Sequence, residues 1–284
     1  MERAQASRTI WRPALLRAAH QILDEEPKIL VDRISVGLVP ESTEHAIRAQ
    51  ADTLREPPVQ LVRSAFLLRA RFAEDELADA VRRGARQYVI LGAGLDTFAL
   101  RQPAFAHDLT IFEVDAAATQ SVKLGLIRHA GLRLPTNLTL VALDLEDDVL
   151  AEQLQAQGFD PAVPAFFSLL GVAQYLTRSA VEATLRFVVS GPPGSGIVFS
   201  FNPPDAELDG ENLAEVEGAA ARGASFGEPW LTRLRDSTVS RLLREMGFRT
   251  VLHLTPEIAQ DRYFANRRDG LRAPTFEQMI VARV

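Results

Sequence analysis

The sequence of 284 residues contains no cysteine, which removes disulfides, thiolate metal ligands and cysteine nucleophiles together. Histidine is sparse as well. The five histidines, at 20, 45, 107, 129 and 253, all lie more than one helical turn apart, so no local pair suggests a zinc site and no metal is expected. No apolar run approaches the ~20 residues that cross a bilayer. The first ten residues carry basic side chains but lead into no signal-peptide core, since Arg12, Arg17 and His20 interrupt the next stretch of chain. A soluble, cytoplasmic protein with no membrane partner is the expectation. An excess of positive charge is missing too: the net charge is −6, so no nucleic-acid partner is expected. Internal repeats, low-complexity tracts and Ser/Gly-rich linkers are absent.

What is present is ordinary globular composition, 47% hydrophobic and 24% charged, enough for a sizeable core. The first 85 residues read as helical. Ile10, Trp11, Leu15, Leu16, Ala19, Ile22 and Leu23 recur at helical spacing before Pro27. Further helical patterns lie near 42–55 and 58–83, and the only weak strand candidate is Ile29–Val31. From there strands and helices alternate, the signature of a parallel sheet with crossover helices. The predicted strands are 87–91, 109–114, 138–143, 164–169 and 196–201, with helices near 116–131, 146–157 and 178–190. Segment 205–227 reads as a helix and loop at the sheet edge. Helix 235–246 then leads to two closing strands, Arg249–Thr255 and Glu277–Val284, the second expected to run antiparallel. The expected organisation is a helical cap, 1–85, on a Rossmann-like α/β unit, 86–284.

In an open parallel sheet the ligand sits beyond the carboxyl ends of the strands, so the residues just past each strand carry the chemistry. After the apolar run Tyr88–Leu91 come Gly92, Gly94 and Asp96, where the glycines let the backbone turn and approach a ligand. Phe112-Glu113-Val114-Asp115 ends the second strand about 20 residues later. An acidic side chain there accepts hydrogen bonds from a ribose or caps the following helix, and Glu113, on the same face, is held in reserve. Leu143-Asp144-Leu145 ends the third strand, where Asp144 accepts from an adenine amine or caps helix 146–157. Three such ends in succession suit a ligand with an acidic or phosphate-like part, a ribose and a base. Thr97 stands where G-x-G-x-x-G wants its third glycine, which weakens the rival reading as a nicotinamide dehydrogenase. After the fourth and fifth strands, Tyr175, Phe201 and Asn202 are candidates for the substrate side, with Tyr175 equally placed to be core.

Together, Val89-Ile-Leu-Gly-Ala-Gly-Leu-Asp-Thr97, Phe112–Asp115 with Gln120 and Lys123 behind it, Asp144-Leu145 and Gly171-Val-Ala-Gln-Tyr-Leu-Thr177 resemble the leucine carboxyl methyltransferase family. This is a branch of the class I S-adenosylmethionine-dependent methyltransferases that includes bacterial small-molecule O-methyltransferases. The resemblance runs from Arg69-Ala-Arg-Phe72 to Gly227-Glu-Pro-Trp230 and the closing strands. It implies a seven-stranded, mostly parallel sheet with an antiparallel last strand. It also implies S-adenosylmethionine as cofactor and O-methylation of a small molecule, a carboxylate or acidic hydroxyl, in secondary metabolism. Gly92, Gly94 and Asp96 would pass beside the methionine part, Asp115 would hold the ribose, and Asp144 with Leu145 the adenine. An arginine before the first strand would pair with the cofactor carboxylate, Arg69 in first place and Arg71 in second. Two positions depart from the family pattern: Leu170 stands where many members have an acid, and Phe98 where the glycine loop often continues with arginine. A non-methylating protein on the same fold is the alternative that Leu170 keeps open.

Overall fold

The computed structural model describes residues 6–146, 149–208 and 210–284. Positions 147 and 148 of the predicted helix 146–157, position 209 of segment 205–227, and positions 1–5 of the cap lie outside the described residues. Seven strands form one sheet: β1 (Gln87–Leu91), β2 (Thr110–Asp115), β3 (Leu138–Ala142), β4 (Ala165–Leu169), β5 (Gly196–Phe201), β6 (Thr250–Leu254) and β7 (Gln278–Arg283). Their order is β3-β2-β1-β4-β5-β7-β6. The first five strands run parallel, and β7 lies antiparallel to both β5 and β6. β1 sits beside both β2 and β4, with Leu91 opposite Val114 and Leu169. The three strand ends expected to carry the chemistry are thus brought side by side.

The helices are α1 (Trp11–Leu23), α2 (Glu44–Ala49), α3 (Ala51–Leu54), α4 (Pro57–Arg82), α5 (Phe98–Arg101), α6 (Ala117–His129), α7 (Leu150–Ala156), α8 (Arg178–Val189), α9 (Gly210–Ser225), α10 (Asp236–Met246) and α11 (Pro256–Ala259). Three of their ends show a local cause. α4 opens on Pro57 and Pro58, whose missing N–H groups cost nothing in the first turn. α8 is capped by Thr177, whose hydroxyl accepts the Ala180 N–H at 3.3 Å. α10 stops at Gly247, with φ of 106°, in the left-handed conformation that glycine adopts freely. Residues 29–31 are not a strand; Ile29 and Leu30 are buried in the core beneath α4.

Strand alternation splits the core in two. Val89, Leu91, Phe112, Phe167, Ile197 and Phe199 face one side, covered by Leu154 of α7, Val181 and Leu185 of α8 and Leu243 of α10. Tyr88, Ile90, Ile111, Phe166, Val198 and Val281 face the other, covered by Leu67, Leu68, Phe72 and Leu77 of α4. The predicted cap therefore shares its main helix with the core of the sheet. A third cluster joins α1, α4 and Val216 of α9. This corrects the expectation for 205–227: α9 packs over the N-terminal helices instead of at the sheet edge, and only Val216 of its apolar residues is fully covered.

Among the N-terminal helices, Arg63 is fully buried and donates to both oxygens of Asp24, at 2.8 and 2.7 Å, and to the Leu54 carbonyl at 2.7 Å. His20 completes the cluster. Its Nε2 accepts the Ile29 N–H at 3.0 Å, so its Nδ1 carries the proton given to Asp24 at 2.8 Å. Burial lowers the His20 pKa, outweighing the opposing pull of Asp24. Removing one partner of such a buried group costs about 3–5 kcal/mol.

Candidate active site

A cavity of ≈170 Å³ opens over the carboxyl ends of β1, β2 and β3. Gly92, Gly94 and Asp96 line it after β1, Asp115 after β2, Asp144 and Leu145 after β3, and Arg69 reaches it from α4. Tyr175, Leu170 and Gly171 close the side next to β4. Gly92 has φ of 68° and Gly94 of 50°, values that side chains disfavour, and a Cβ on Gly92 would overlap Val172. The glycine loop is tied directly to the second strand: Asp115 accepts the Gly94 N–H at 2.6 Å and the Ala116 N–H at 2.7 Å. Burial raises the Asp115 pKa, and those two N–H groups oppose the rise. The Thr119 hydroxyl is a third partner of Asp115, and since a carboxylate offers about four acceptor positions, capacity remains for a ribose hydroxyl at the cavity. Asp96 accepts the Phe98 N–H at 2.7 Å, and Asp144 accepts the Glu146 N–H at 3.1 Å. Glu146 in turn accepts from the N–H and hydroxyl of Thr177, at 2.5 and 2.9 Å, fixing the β3 turn to the start of α8.

A second cavity of ≈170 Å³ adjoins the first. Thr9, Pro13, Phe66, Arg69, Gly171 and Tyr175 line both, so the two meet there. Arg69 donates to Glu277 at 3.1 Å, and its guanidinium lies 4.5 Å from the centre of the Phe66 ring. A Cβ on Gly171 would overlap that guanidinium. Beyond the junction the second cavity is lined by Asn202, Trp230, Phe226, Phe276 and the α9 side chains Glu215 and Arg222. Tyr175 and Trp230 meet edge to face with centroids 6.3 Å apart. Asn202, 5% exposed, donates to the Phe276 carbonyl at 2.8 Å.

Two expected positions stand elsewhere. Arg71, two residues beyond Arg69 and so on another side of α4, donates to Asp75 at 3.0 Å and to the Ile29 carbonyl at 3.4 Å, outside both cavities. Phe201 is 1% exposed in the core, against Phe199 at 5.7 Å, because it shares strand parity with Ile197 and Phe199. Glu113, held in reserve, is a buried partner of Lys123 at 2.6 Å. Burial raises its pKa while Lys123 opposes the rise. Phe98 is also core, edge-on to Tyr88 at 5.0 Å, while Leu170 lines the first cavity.

Other residues were not legible as site residues. Arg17 of α1 lines the first cavity and donates to the Leu95 carbonyl at 2.6 Å and to Asp32 at 3.2 Å. Asp32, fully buried, also accepts the Thr97 hydroxyl at 2.7 Å. Thr97, where a dinucleotide loop would have glycine, thus anchors the loop to the N-terminal helices. Ser7, Thr9 and Ile10 also line the first cavity, with the Ser7 N–H donated to Thr119 at 3.2 Å and its hydroxyl to Glu228 at 3.0 Å. Among the described residues no group of three or more metal-ligating side chains is gathered, and no helix is long and apolar enough to cross a membrane.

The fold has known counterparts. A solved structure of a DUF574 family protein from Streptomyces avermitilis superposes with a TM-score of 0.57 at 16% identity, covering 94% of this chain and 96% of its own. One of an inferred methyltransferase from Thermobifida fusca gives 0.56 at 17%, covering 95% and 93%. In sequence, the chain is 36% identical over 208 residues to YktD of Bacillus subtilis (strain 168), an inferred S-adenosyl-L-methionine-dependent methyltransferase, covering 73% of this chain and 68% of that one. It is 29% identical over 216 residues to a similarly described protein of Mycobacterium bovis (strain BCG / Pasteur 1173P2), covering 72% and 70%. The profile of the leucine carboxyl methyltransferase family matches residues 10–189, from α1 through α8. On a seven-stranded class I methyltransferase sheet, the chain belongs to the leucine carboxyl methyltransferase family.

Proposed function

We infer that the protein is an S-adenosylmethionine-dependent O-methyltransferase acting on a carboxylate or acidic hydroxyl of a small molecule, of the kind made in secondary metabolism. The observation that carries this reading is the junction of the two cavities at Arg69, Gly171 and Tyr175. The lining of the first cavity supports the cofactor reading. Arg69 suits a carboxylate, by the fork geometry of a guanidinium. Asp115 suits a ribose hydroxyl, Asp144 an exocyclic amine, and Leu143, Leu145 and Leu170 a flat apolar base. Gly92 and Gly94 keep the backbone close enough for the methionine part. In this reading residues 1–85 are the cap and 86–284 the transferase unit, with the cap contributing Arg17 and Arg69.

The bound cofactor supplies a methyl group activated by its positive sulfur. The chain's share of catalysis is alignment and exclusion of water. The backbone at Gly171, the Tyr175 ring and the aromatic wall beyond them hold an acceptor against the first cavity. A carboxylate acceptor is already ionised near neutral pH and requires no base. For a hydroxyl acceptor, Glu277 is the carboxylate lining the acceptor side near the junction.

Calorimetry with S-adenosylhomocysteine tests the cofactor reading. Micromolar binding is expected, and no binding at high micromolar concentration would overturn it. Transfer of radiolabelled methyl from the cofactor to metabolites of a cell extract separates a methyltransferase from a protein that only binds the cofactor.

A further inference from the structure

The second cavity carries an uneven distribution of charge. Arg8, Arg12, Arg69 and Arg222 face it, against two carboxylates, Glu215 and Glu277. At the junction the charges match, since Arg69 is paired with Glu277. The surplus lies on residues that line the second cavity alone. Glu215 serves both Arg12 and Arg222, each at 2.8 Å, and takes a single N–H from each. A guanidinium has five donors, so most of theirs are not taken up by the described residues. The Arg8 guanidinium sits 4.4 Å from the centre of the Phe226 ring and has no carboxylate partner among the described residues. These three arginines and α9 belong to the second cavity alone, whereas the junction residues belong to both. The rest of the lining is rich in aromatic side chains: Phe66 and Tyr175 at the junction, and Trp230, Phe276 and Phe226 in the second cavity alone.

We propose that the second cavity binds an amphipathic organic acid, its anionic group held by Arg8, Arg12 and Arg222 at the α9 wall and its apolar body lying between the aromatic side chains. The inference rests on the methyltransferase reading for what lies at the junction. It adds that the anion held by these arginines is an anchor and not the methyl-accepting group, which stands at the opposite end of the molecule. A ligand of this kind has two functional groups separated by a flat or extended apolar spacer. Guanidinium–carboxylate recognition supplies affinity and direction, and the aromatic walls supply burial for the spacer.

The test is calorimetry on the full chain with S-adenosylhomocysteine present, using matched acid and amide pairs: 4-hydroxybenzoate, 4-hydroxycinnamate and 10-hydroxydecanoate, each against its neutral amide. At least one acid is expected to bind about tenfold or more tighter than its amide, as charge-assisted contacts from more than one guanidinium supply. In the Arg8→Gln, Arg222→Gln double variant that preference should fall below about threefold, with amide affinity nearly unchanged. Equal binding of acid and amide in every pair, no binding in any pair, or a preference that survives the double variant would each overturn the proposal. S-adenosylhomocysteine affinity, titrated separately in both proteins, reports on fold and on the cofactor reading. If it binds and the acids do not, the anchor fails alone; if the acids bind selectively and it does not, the cofactor reading fails alone.

Discussion

The two adjoining cavities are built by opposite means. The first is made by backbone and strand ends: Gly92 and Gly94 follow β1, Asp115 ends β2, Asp144 follows β3, and the Gly94 N–H is donated to Asp115. The second is made by side chains drawn from residues 8–12, α4, the turn after β4, α9 and Phe276-Glu277. A site placed by hydrogen-bonded strands is fixed wherever the sheet forms. One placed by side chains on separate segments changes its lining with single substitutions. On the reading proposed above, this difference divides the cofactor side from the acceptor side.

A change at the boundary should damage the first cavity most. Gly171→Ala puts a Cβ into the Arg69 guanidinium at a position with φ of 68°. The left-handed conformation alone costs about 1–2 kcal/mol for alanine. That cost falls on the stability of the fold, free and bound alike; through the displaced arginine, S-adenosylhomocysteine affinity should fall about 30-fold or more by calorimetry. Asp115→Ala should weaken it by about tenfold or more. The ionised carboxylate is the better acceptor for a ribose hydroxyl. Affinity should therefore hold above the folded-state pKa of Asp115 and decline as pH falls through it. Burial raises that pKa, so the decline should begin above the ordinary aspartate range near pH 4 and vanish in Asp115→Asn. An unchanged affinity in Asp115→Ala would move the ribose role elsewhere.

Smaller effects sharpen the contrast. Thr97→Val removes the hydroxyl that reaches Asp32 and should weaken the same binding about threefold to tenfold, with Thr97→Ser restoring it. Restoration by serine marks the hydrogen bond, and not the shape of the side chain, as the link from the N-terminal helices to the loop. Smallest of all, Trp230→Ala should change S-adenosylhomocysteine affinity by less than about twofold, since Trp230 lines the second cavity alone. A large loss there would show that the cavities are not separable.

The same contrast explains what was legible in the sequence. Five parallel strands showed as apolar runs followed by breakers, and their ends place Gly92, Gly94, Asp115 and Asp144 around one space because a parallel sheet aligns its carboxyl ends. Arg69 was legible only with the family pattern in hand, since spacing along a helix does not separate it from Arg71 until the packing of α4 is known. Phe201 could have been read as core from its parity with Ile197 and Phe199. Asp32, Arg17 and α9 left no such trace. Asp32 sits in an irregular stretch, Arg17 lies among the apolar residues of an ordinary helix, and α9 has too weak an apolar stripe to declare what it covers.

The placement of β7 bears on how the protein is made. β6 pairs with β7, and β7 alone joins it to the sheet, yet β7 comes after it in the chain across α11 and a long irregular connection. During synthesis from the amino end, β6 therefore emerges with no neighbour to receive it, and β5 carries an open edge until β7 inserts between them. For that interval Val198 and Phe199 on β5 are without their strand partners Val281 and Ile280. A nascent chain paused between residues 255 and 277 would hold an unpaired β5 edge, the state in which association with chaperones or with other nascent chains competes with folding.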